Sequence, residues 1–380
     1  MLPDYAGGSL LNLMATIAQA CGSRPRHAPL RDLPTPDVAA ARNVVLLILD
    51  GLGDRLLRSH GAGGELARRR RASMTSVFPS TTASAITTSY TGASPLEHGL
   101  TGWYVYFGEA GCVGASLSFT SRGDWLPLSR RGATPSGLYA GEPLFAQLAR
   151  RSVIVTTRDI VDSIYNQHYC RGVDRIAYDR VGELPEAVAR AVKSSPEAKF
   201  VYAYWPEYDR VSHRYGSQSA RALEEIEKVD AAFGHLLAEL SGTDSIVIAT
   251  ADHGFVDVPP ECSLELPPEL ASLLRFPLCG ERRIAYCHTI EKELFERRAK
   301  EWFADRADVR PSAELADEGW FGPGRAHPRF AERIGDVALV MRERYTIKDW
   351  VAGEARHLHV GNHGGTSEDE MLIPLIVERT

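Results

Sequence analysis

Five short and almost unbroken apolar runs punctuate the chain: Asn43–Leu49 (NVVLLIL), Ser152–Thr156 (SVIVT), Phe200–Trp205 (FVYAYW), Ser245–Thr250 (SIVIAT) and Leu372–Val377 (LIPLIV). Runs of this length without polar alternation suit strands covered on both faces, as in parallel sheets. Between them, apolar residues recur at helical spacing over Glu142–Ala149, Pro185–Val192 and Ser219–Leu240. Strand and helix therefore alternate, which predicts an α/β fold: a doubly wound, mostly parallel sheet flanked by helices.

From residue 259 to 345 the pattern changes. Proline-rich turns (PPECSLELPPEL) lead into a strand-like RIAYCH, a helix over Glu291–Phe303, a glycine-rich turn (EGWFGPG) and a strand over Val337–Met341. This predicts a core of residues 1–258 and 346–380 carrying a smaller inserted α+β subdomain, 259–345. Lying between Asp252-His253 and His363, such an insert can lean over a site as a lid and supply specificity. A decorative extension is the alternative reading.

Composition narrows the partners. A chain of 380 residues can bury a large core, and its 44% hydrophobic and 24% charged residues are ordinary for a globular protein. The formal net charge of -6 gives nucleic acid no electrostatic attraction, and the run Arg68–Arg71 reads as the solvated end of a helix. Six cysteines, widely spread and without a CxxC pair, read as buried thiols rather than a disulfide framework. The opening MLPDYAGGSL lacks a basic segment followed by an apolar core, and no stretch approaches the roughly 20 apolar residues that span a bilayer. The expectation is a cytoplasmic protein with no membrane or nucleic-acid polymer as partner.

Candidate chemistry clusters just beyond the strand runs. In LLILDGLGD, Asp50 ends a strand, where open α/β sheets gather their ligands; alone it is as readily a helix cap. In SVFPSTTASAITTSYTG, Thr81 and Thr82 stand where a loop enters a helix, among free N–H donors that suit a phosphoryl group, although either can be a plain cap. In YWPEYDRVSHRYG, Asp209 and His213 lie four residues apart, on one face of a helix if the segment is helical. A surface ion pair competes with that reading. In SIVIATADHGFVD, Asp252 and His253 directly follow a strand and precede Gly254, whose freedom lets adjacent side chains converge. In HLHVGNHGGTSEDEMLIPLIV, the glycines next to His363 favour it over His357 and His359, which spacing alone leaves open.

Three aspartates and three histidines form a mixed oxygen and nitrogen set that suits Zn²⁺ or Mn²⁺ better than Ca²⁺. Six protein ligands exceed the three usual for one catalytic zinc, which implies two ions about 4 Å apart.

With these segments in order, the chain resembles the alkaline phosphatase superfamily, and within it the type I phosphodiesterase/nucleotide pyrophosphatase family. The resemblance rests on strand-DG, the block FPSTT…TG…P…HG, D-x-x-x-H, ADHG and the late HGG, and it covers nearly the whole chain. It implies a two-metal hydrolase of phosphodiester or pyrophosphate bonds, acting on a small phosphate ester or nucleotide-like substrate. Thr82 would be the nucleophile and would form a phospho-threonine intermediate. Asp50, Asp252 and His253, with Thr82, would hold one metal, and Asp209, His213 and His363 the other. Ala85 occupies the position matched to an asparagine that helps hold the phosphoryl oxygens in nucleotide-cleaving relatives, and His98 matches no ligand and reads as structural.

The same bimetal core also suits a phosphomonoesterase, which a cationic side chain over the phosphate would favour. A sulfatase lacks support, since the Cys/Ser-x-Pro-x-Arg motif is absent, and so does a phosphomutase, whose nucleophile is serine. A non-catalytic binding protein retaining the fold predicts lost ligands, and none is lost.

Overall fold

All five apolar runs become strands of one sheet in the computed structural model, which describes residues 1–380. The sheet has seven strands, in spatial order Arg70–Thr75, Leu372–Arg379, Ser245–Thr250, Asn43–Leu49, Lys199–Trp205, Arg151–Thr157 and Asp174–Tyr178. Asn43–Leu49, buried at every position, lies parallel between Ser245–Thr250 and Lys199–Trp205. Leu372–Arg379 runs antiparallel to both of its neighbours. Register matters for the chemistry: Leu49 stands opposite Trp205 and Ile48 opposite Thr250. Three strands thus end at one level, and the residues that follow them emerge at the same sheet edge.

Helices cover the sheet. Leu184–Lys193 packs with Ala220–Glu239, and Leu10–Ala20 with Thr82–Thr91. Leu10–Ala20 was not expected from the sequence pattern, although Asn12, Thr16 and Gln19 fall on one face at helical spacing; all of its residues but Gln19 are buried. The helix expected over Glu142–Ala149 is reduced to a 3₁₀ turn, Leu144–Ala146. Its C-terminal end is claimed by other contacts, since Ala149 N–H donates to Cys21 O at 2.9 Å. The arginine run straddles two elements: Arg68 ends a short helix, while Arg70 and Arg71 begin the edge strand. Charge on an edge strand discourages pairing with other chains.

A second seven-stranded sheet follows the order Ala307–Pro311, Val337–Met341, Ile284–Cys287, Cys279–Gly280, Tyr104–Phe107, Cys112–Ala115 and Thr120–Ser121, and its paired strands run antiparallel. It draws on residues 104–121 as well as on 279–341. Arg283, almost fully buried, ties this sheet to the main one through Glu370, with Nη2 to Oε2 at 2.9 Å. Glu370 also accepts from Gly365 N at 2.8 Å, which steadies the loop that carries His363. No helix is long and apolar enough to cross a membrane.

Candidate active site

Asp50 leaves the central strand and turns at once, because Gly51 adopts φ +77. A side chain there would run into the Phe255 ring, so the position admits only glycine. Gly254 is held as closely: a β-carbon would strike the Asp369 carbonyl. These two close approaches let the ends of neighbouring strands point their side chains at each other.

Asp209 and His213 lie on the helix Glu207–Tyr215, as their spacing predicts. His213 Nε2 is 3.4 Å from Asp209 Oδ1. His253 Nε2 stands 3.4 Å from Asp50 Oδ1, 3.5 Å from Asp252 Oδ2 and 3.9 Å from Asp209 Oδ1. His363 Nε2 is 3.8 Å from Asp209 Oδ1 and 3.2 Å from His213 Nε2, and its ring stacks on His253 at 3.7 Å between centroids. The six metal-ligand candidates other than Thr82 are therefore within one constellation. His357 and His359 line the same cavity, but their Nε2 atoms face each other at 3.2 Å.

Hydrogen bonds orient every ligand candidate except Asp209. Each imidazole turns Nδ1 toward a backbone carbonyl: His213 to Gly361 O at 2.9 Å, His253 to Gly254 O at 3.1 Å, His363 to Ser80 O at 3.3 Å. A carbonyl only accepts, so Nδ1 carries the proton and Nε2 presents its lone pair inward. Asp252 Oδ1 accepts from the amides of Gly51 and His253, both at 3.0 Å, and Asp50 Oδ2 from the Tyr204 hydroxyl. The opposite oxygens, Asp50 Oδ1, Asp209 Oδ1 and Asp252 Oδ2, are buried and have no hydrogen-bond partner. Three orphaned carboxylate oxygens facing three imidazole lone pairs, of which only that of His253 has a hydroxyl within reach, form a donor set suited to a cation. Two sub-clusters are compact enough for an ion: Asp209, His213 and His363, and Asp50, Asp209 and His253. Asp209 thus borders both.

Electrostatics agree. Burial, then the nearby charges of Asp209 and Asp252, push the Asp50 carboxyl well above its usual range, and burial followed by Asp252 does the same to Asp209. His213 is pushed down to about 4, and His363 also falls, chiefly through burial. Neutral imidazoles beside crowded carboxylates are the state that receives divalent cations most readily.

The helix Thr82–Thr91 aims its N-terminus at this cluster. Thr81 and Thr82 are separated by their partners: the Thr81 hydroxyl donates to Glu281 Oε1 at 2.6 Å, whereas Thr82 Oγ1 lies 3.1 Å from His253 Nε2. His98 is structural, as expected. Fully buried, it accepts from Leu100 N at 3.1 Å and meets the Thr88 hydroxyl at 3.2 Å.

Ala85 does not face the site. It is fully buried in the main hydrophobic cluster and, unlike Thr82 one helical turn before it, takes no part in the cavity wall, so it is not the position where the phosphoryl oxygens are read. Ala85→Asn is expected to destabilise by about 2 kcal/mol or more, by forcing an unpartnered amide into the core, without altering substrate preference. The denaturant midpoint and the diester-to-monoester rate ratio check the two halves of that expectation.

Sequence reasoning passed over Tyr204, Glu281, Arg282, Lys348 and Asn362. Tyr204 belongs to FVYAYW, where nothing distinguishes it from its apolar neighbours. Glu281 and Arg282 begin a charged triplet just before a strand, the one local hint available. Tyr204→Phe is expected to weaken metal binding about 10- to 100-fold, the usual cost of losing a group that orients a ligand. Competition with a chromogenic chelator measures it.

Above the cluster lies a cavity of about 360 Å³, whose walls include Thr82, Asp209, His213, His363, Trp103 and Glu281. That volume is at the small end for ligand sites and suits a small molecule.

A sheet edge that gathers a threonine, three aspartates and three histidines under such a cavity defines a phosphodiesterase-like hydrolase of the alkaline phosphatase superfamily. The chain belongs to the type I phosphodiesterase/nucleotide pyrophosphatase family, whose model matches residues 44–366. Comparison with curated protein sequences finds no match. Among solved structures, human ectonucleotide pyrophosphatase/phosphodiesterase 5 is similar with a TM-score of 0.64 at 16% identity, over 88% of this chain and 87% of that one. An inactive form of the murine protein, in complex with AMP, gives 0.63 at 16% identity, with 88% and 87% covered. Phosphonoacetate hydrolase from Sinorhizobium meliloti 1021, in complex with phosphonoacetate, gives 0.61 at 19%, with 89% and 90% covered. At these identities the likeness shows a shared fold.

Proposed function

We propose that the chain hydrolyses phosphodiester or pyrophosphate bonds of small phosphate esters through a covalent phospho-threonine at Thr82, in a site for two divalent metals, most favourably Zn²⁺ and otherwise Mn²⁺. The observation that carries this reading is the set of three orphaned carboxylate oxygens and three inward imidazole lone pairs beside Thr82 Oγ1. Asp50, Asp252 and His253, with Thr82, would hold one metal, and Asp209, His213 and His363 the other. When bound, the cations lower the pKa of the hydroxyl and offset the charge on the transferring group.

The chain's own groups do the rest. Thr82 Oγ attacks phosphorus, the new O–P bond forms as the bond to the leaving oxygen breaks, and the departing oxygen takes up a proton. The free amides at the start of Thr82–Thr91 face the equatorial oxygens. Water then cleaves the phospho-threonine and restores the hydroxyl. Tyr204 and the backbone carbonyls keep the ligand side chains fixed throughout. Residues 259–345 would act as a lid, a role favoured by Glu281 and Arg282 in the cavity wall. A cytoplasmic location is proposed as well, and six free cysteines favour a reducing compartment.

The test is a side-by-side rate comparison of an aryl phosphodiester and an aryl phosphomonoester with defined Zn²⁺ or Mn²⁺. Faster turnover of the diester is expected. Preference for the monoester would support the rival reading. Two bound zinc equivalents with no cleavage of either ester would overturn the enzymatic mechanism.

A further inference from the structure

The cavity that opens over Thr82 is walled by three cationic side chains, Arg122, Arg282 and Lys348, and they are not equivalent. Arg122 is fully engaged: its guanidinium meets Glu354 at 2.8 Å and Asp349 at 2.8 Å, donates to Leu278 O, and sits over the Tyr104 ring. Nothing remains for a ligand.

Arg282 differs. No carboxylate lies within ion-pair distance of its guanidinium, and its one side-chain hydrogen bond is a long one, 3.3 Å, to the His357 carbonyl. Burial lowers its pKa to about 10, outweighing the opposing influence of Tyr104, Glu281 and Glu354. Lys348 is similar. Its Nζ approaches only Glu354 Oε2, at 3.8 Å, an oxygen already spent on Arg122, and it rests over the Trp350 ring at 4.5 Å. Only 14% of that side chain is exposed, and its pKa is lowered to about 8, first by burial and then by Arg282. Two neighbouring cations, each short of a partner and each costly to desolvate, are stable in a cavity wall when an anion enters between them.

In the reading above, the scissile phosphoryl group already has its place, and the two cations stand on another part of the wall. That group must lie at Thr82 Oγ1 and the helix N-terminus, whereas Arg282 and Lys348 belong to the wall formed by residues 278–282 and 347–349. Glu281, hydrogen-bonded to Thr81 and to Trp103 N, stands next to Arg282 in sequence without pairing with it, and its carboxylate would repel a second anion at the Thr81 side.

We propose that Arg282 and Lys348 form a second anion subsite, and that the substrate is a small phosphate ester whose far end carries a carboxylate or phosphate group. The proposal rests on the phosphoryl-hydrolase reading above and names the substrate class of that same site. Guanidinium and ammonium together tolerate either anion, the guanidinium offering a planar fork and the ammonium a point charge.

The test uses three ligands built on one ethylphosphonate stem and lacking any ester bond: propylphosphonate, phosphonopropionate and ethane diphosphonate. They end in methyl, carboxylate and phosphonate. Calorimetry on the zinc-loaded full chain reads their affinities without turnover, so the result stands apart from the success or failure of the hydrolysis assay. At least one anionic probe should bind about 10- to 100-fold more tightly than propylphosphonate, the span of a charge-assisted pair. The carboxylate and phosphonate arms identify which anion is preferred. Arg282→Ala and Lys348→Met should collapse that ratio toward unity, and Arg282→Lys should restore part of it. A ratio near unity in the unaltered chain overturns the proposal. So does an equal loss of affinity for all three probes in the variants, because that places the cations on the scissile group or in the framework.

Discussion

Thr82→Ala is expected to lower turnover of an aryl phosphodiester by about ten-thousandfold or more, the scale on which removing a covalent nucleophile acts, while the protein still binds two equivalents of zinc. Separating the two effects is what makes the experiment informative. Asp50, Asp252 and the three imidazoles each keep an orienting hydrogen bond that does not involve Thr82. Kinetics and elemental analysis on one preparation give both numbers. Thr82→Ser, which keeps the hydroxyl, should recover part of the rate. Retained activity in Thr82→Ala would move the nucleophile to Thr81 or to water. Thr81 is poorly placed for that work, since its hydroxyl is already given to Glu281.

Asp209→Asn should change stability in opposite directions with and without metal. In the metal-free chain, the buried carboxylates of Asp50, Asp209 and Asp252 repel one another, and a neutral amide relieves that repulsion. The metal-free variant should therefore melt higher than the metal-free parent. With zinc in excess the order should reverse. A ligand present at about a thousand times its dissociation constant stabilises by about 4 kcal/mol, and a variant that binds it weakly forfeits most of this. Thermal melts with chelator and with zinc provide the four values, and an unchanged order between conditions would count against metal binding at Asp209.

Asp50 and Asp209 give a pH dependence whose sign follows from linkage. Their folded-state pKa values are raised, so the folded metal-free chain holds protons that the unfolded chain has released. This contribution is fully present below the unfolded value of about 3.9 and is lost as pH rises through the raised folded values. Metal-free parent protein should thus gain stability from this source on mild acidification, and Asp209→Asn should flatten the slope. Melting temperatures across that window decide it.

Much of the fold was legible because both determinants are local. Uninterrupted apolar runs such as NVVLLIL can only be strands covered on two faces, and the glycines after Asp50 and His253 mark turns that other residues cannot make. Helix Leu10–Ala20 was legible in principle, through Asn12, Thr16 and Gln19 at helical spacing, and was passed over because its polar face is short and mostly buried. The Glu142–Ala149 pattern was helical in composition, yet hydrogen bonds to distant chain segments took precedence.

The site divides along the same line. Residue types and their positions after strands were enough to nominate Asp50, Thr82, Asp209, His213, Asp252, His253 and His363, because a parallel sheet delivers strand ends to one edge whatever the loops do. The choice of Thr82 over Thr81 came from the family resemblance, and a physical reason for it appeared only with Glu281, some two hundred residues away, which takes the Thr81 hydroxyl. Discounting Ala85 needed to know which face of its helix meets the core. Arg282 and Lys348 became visible as unpaired charges only once the carboxylates around Arg122 had been assigned in space. Ligand chemistry is written in residue type and strand order, both properties of the chain itself. Charge compensation depends on distances between segments remote in sequence, and only tertiary packing sets those.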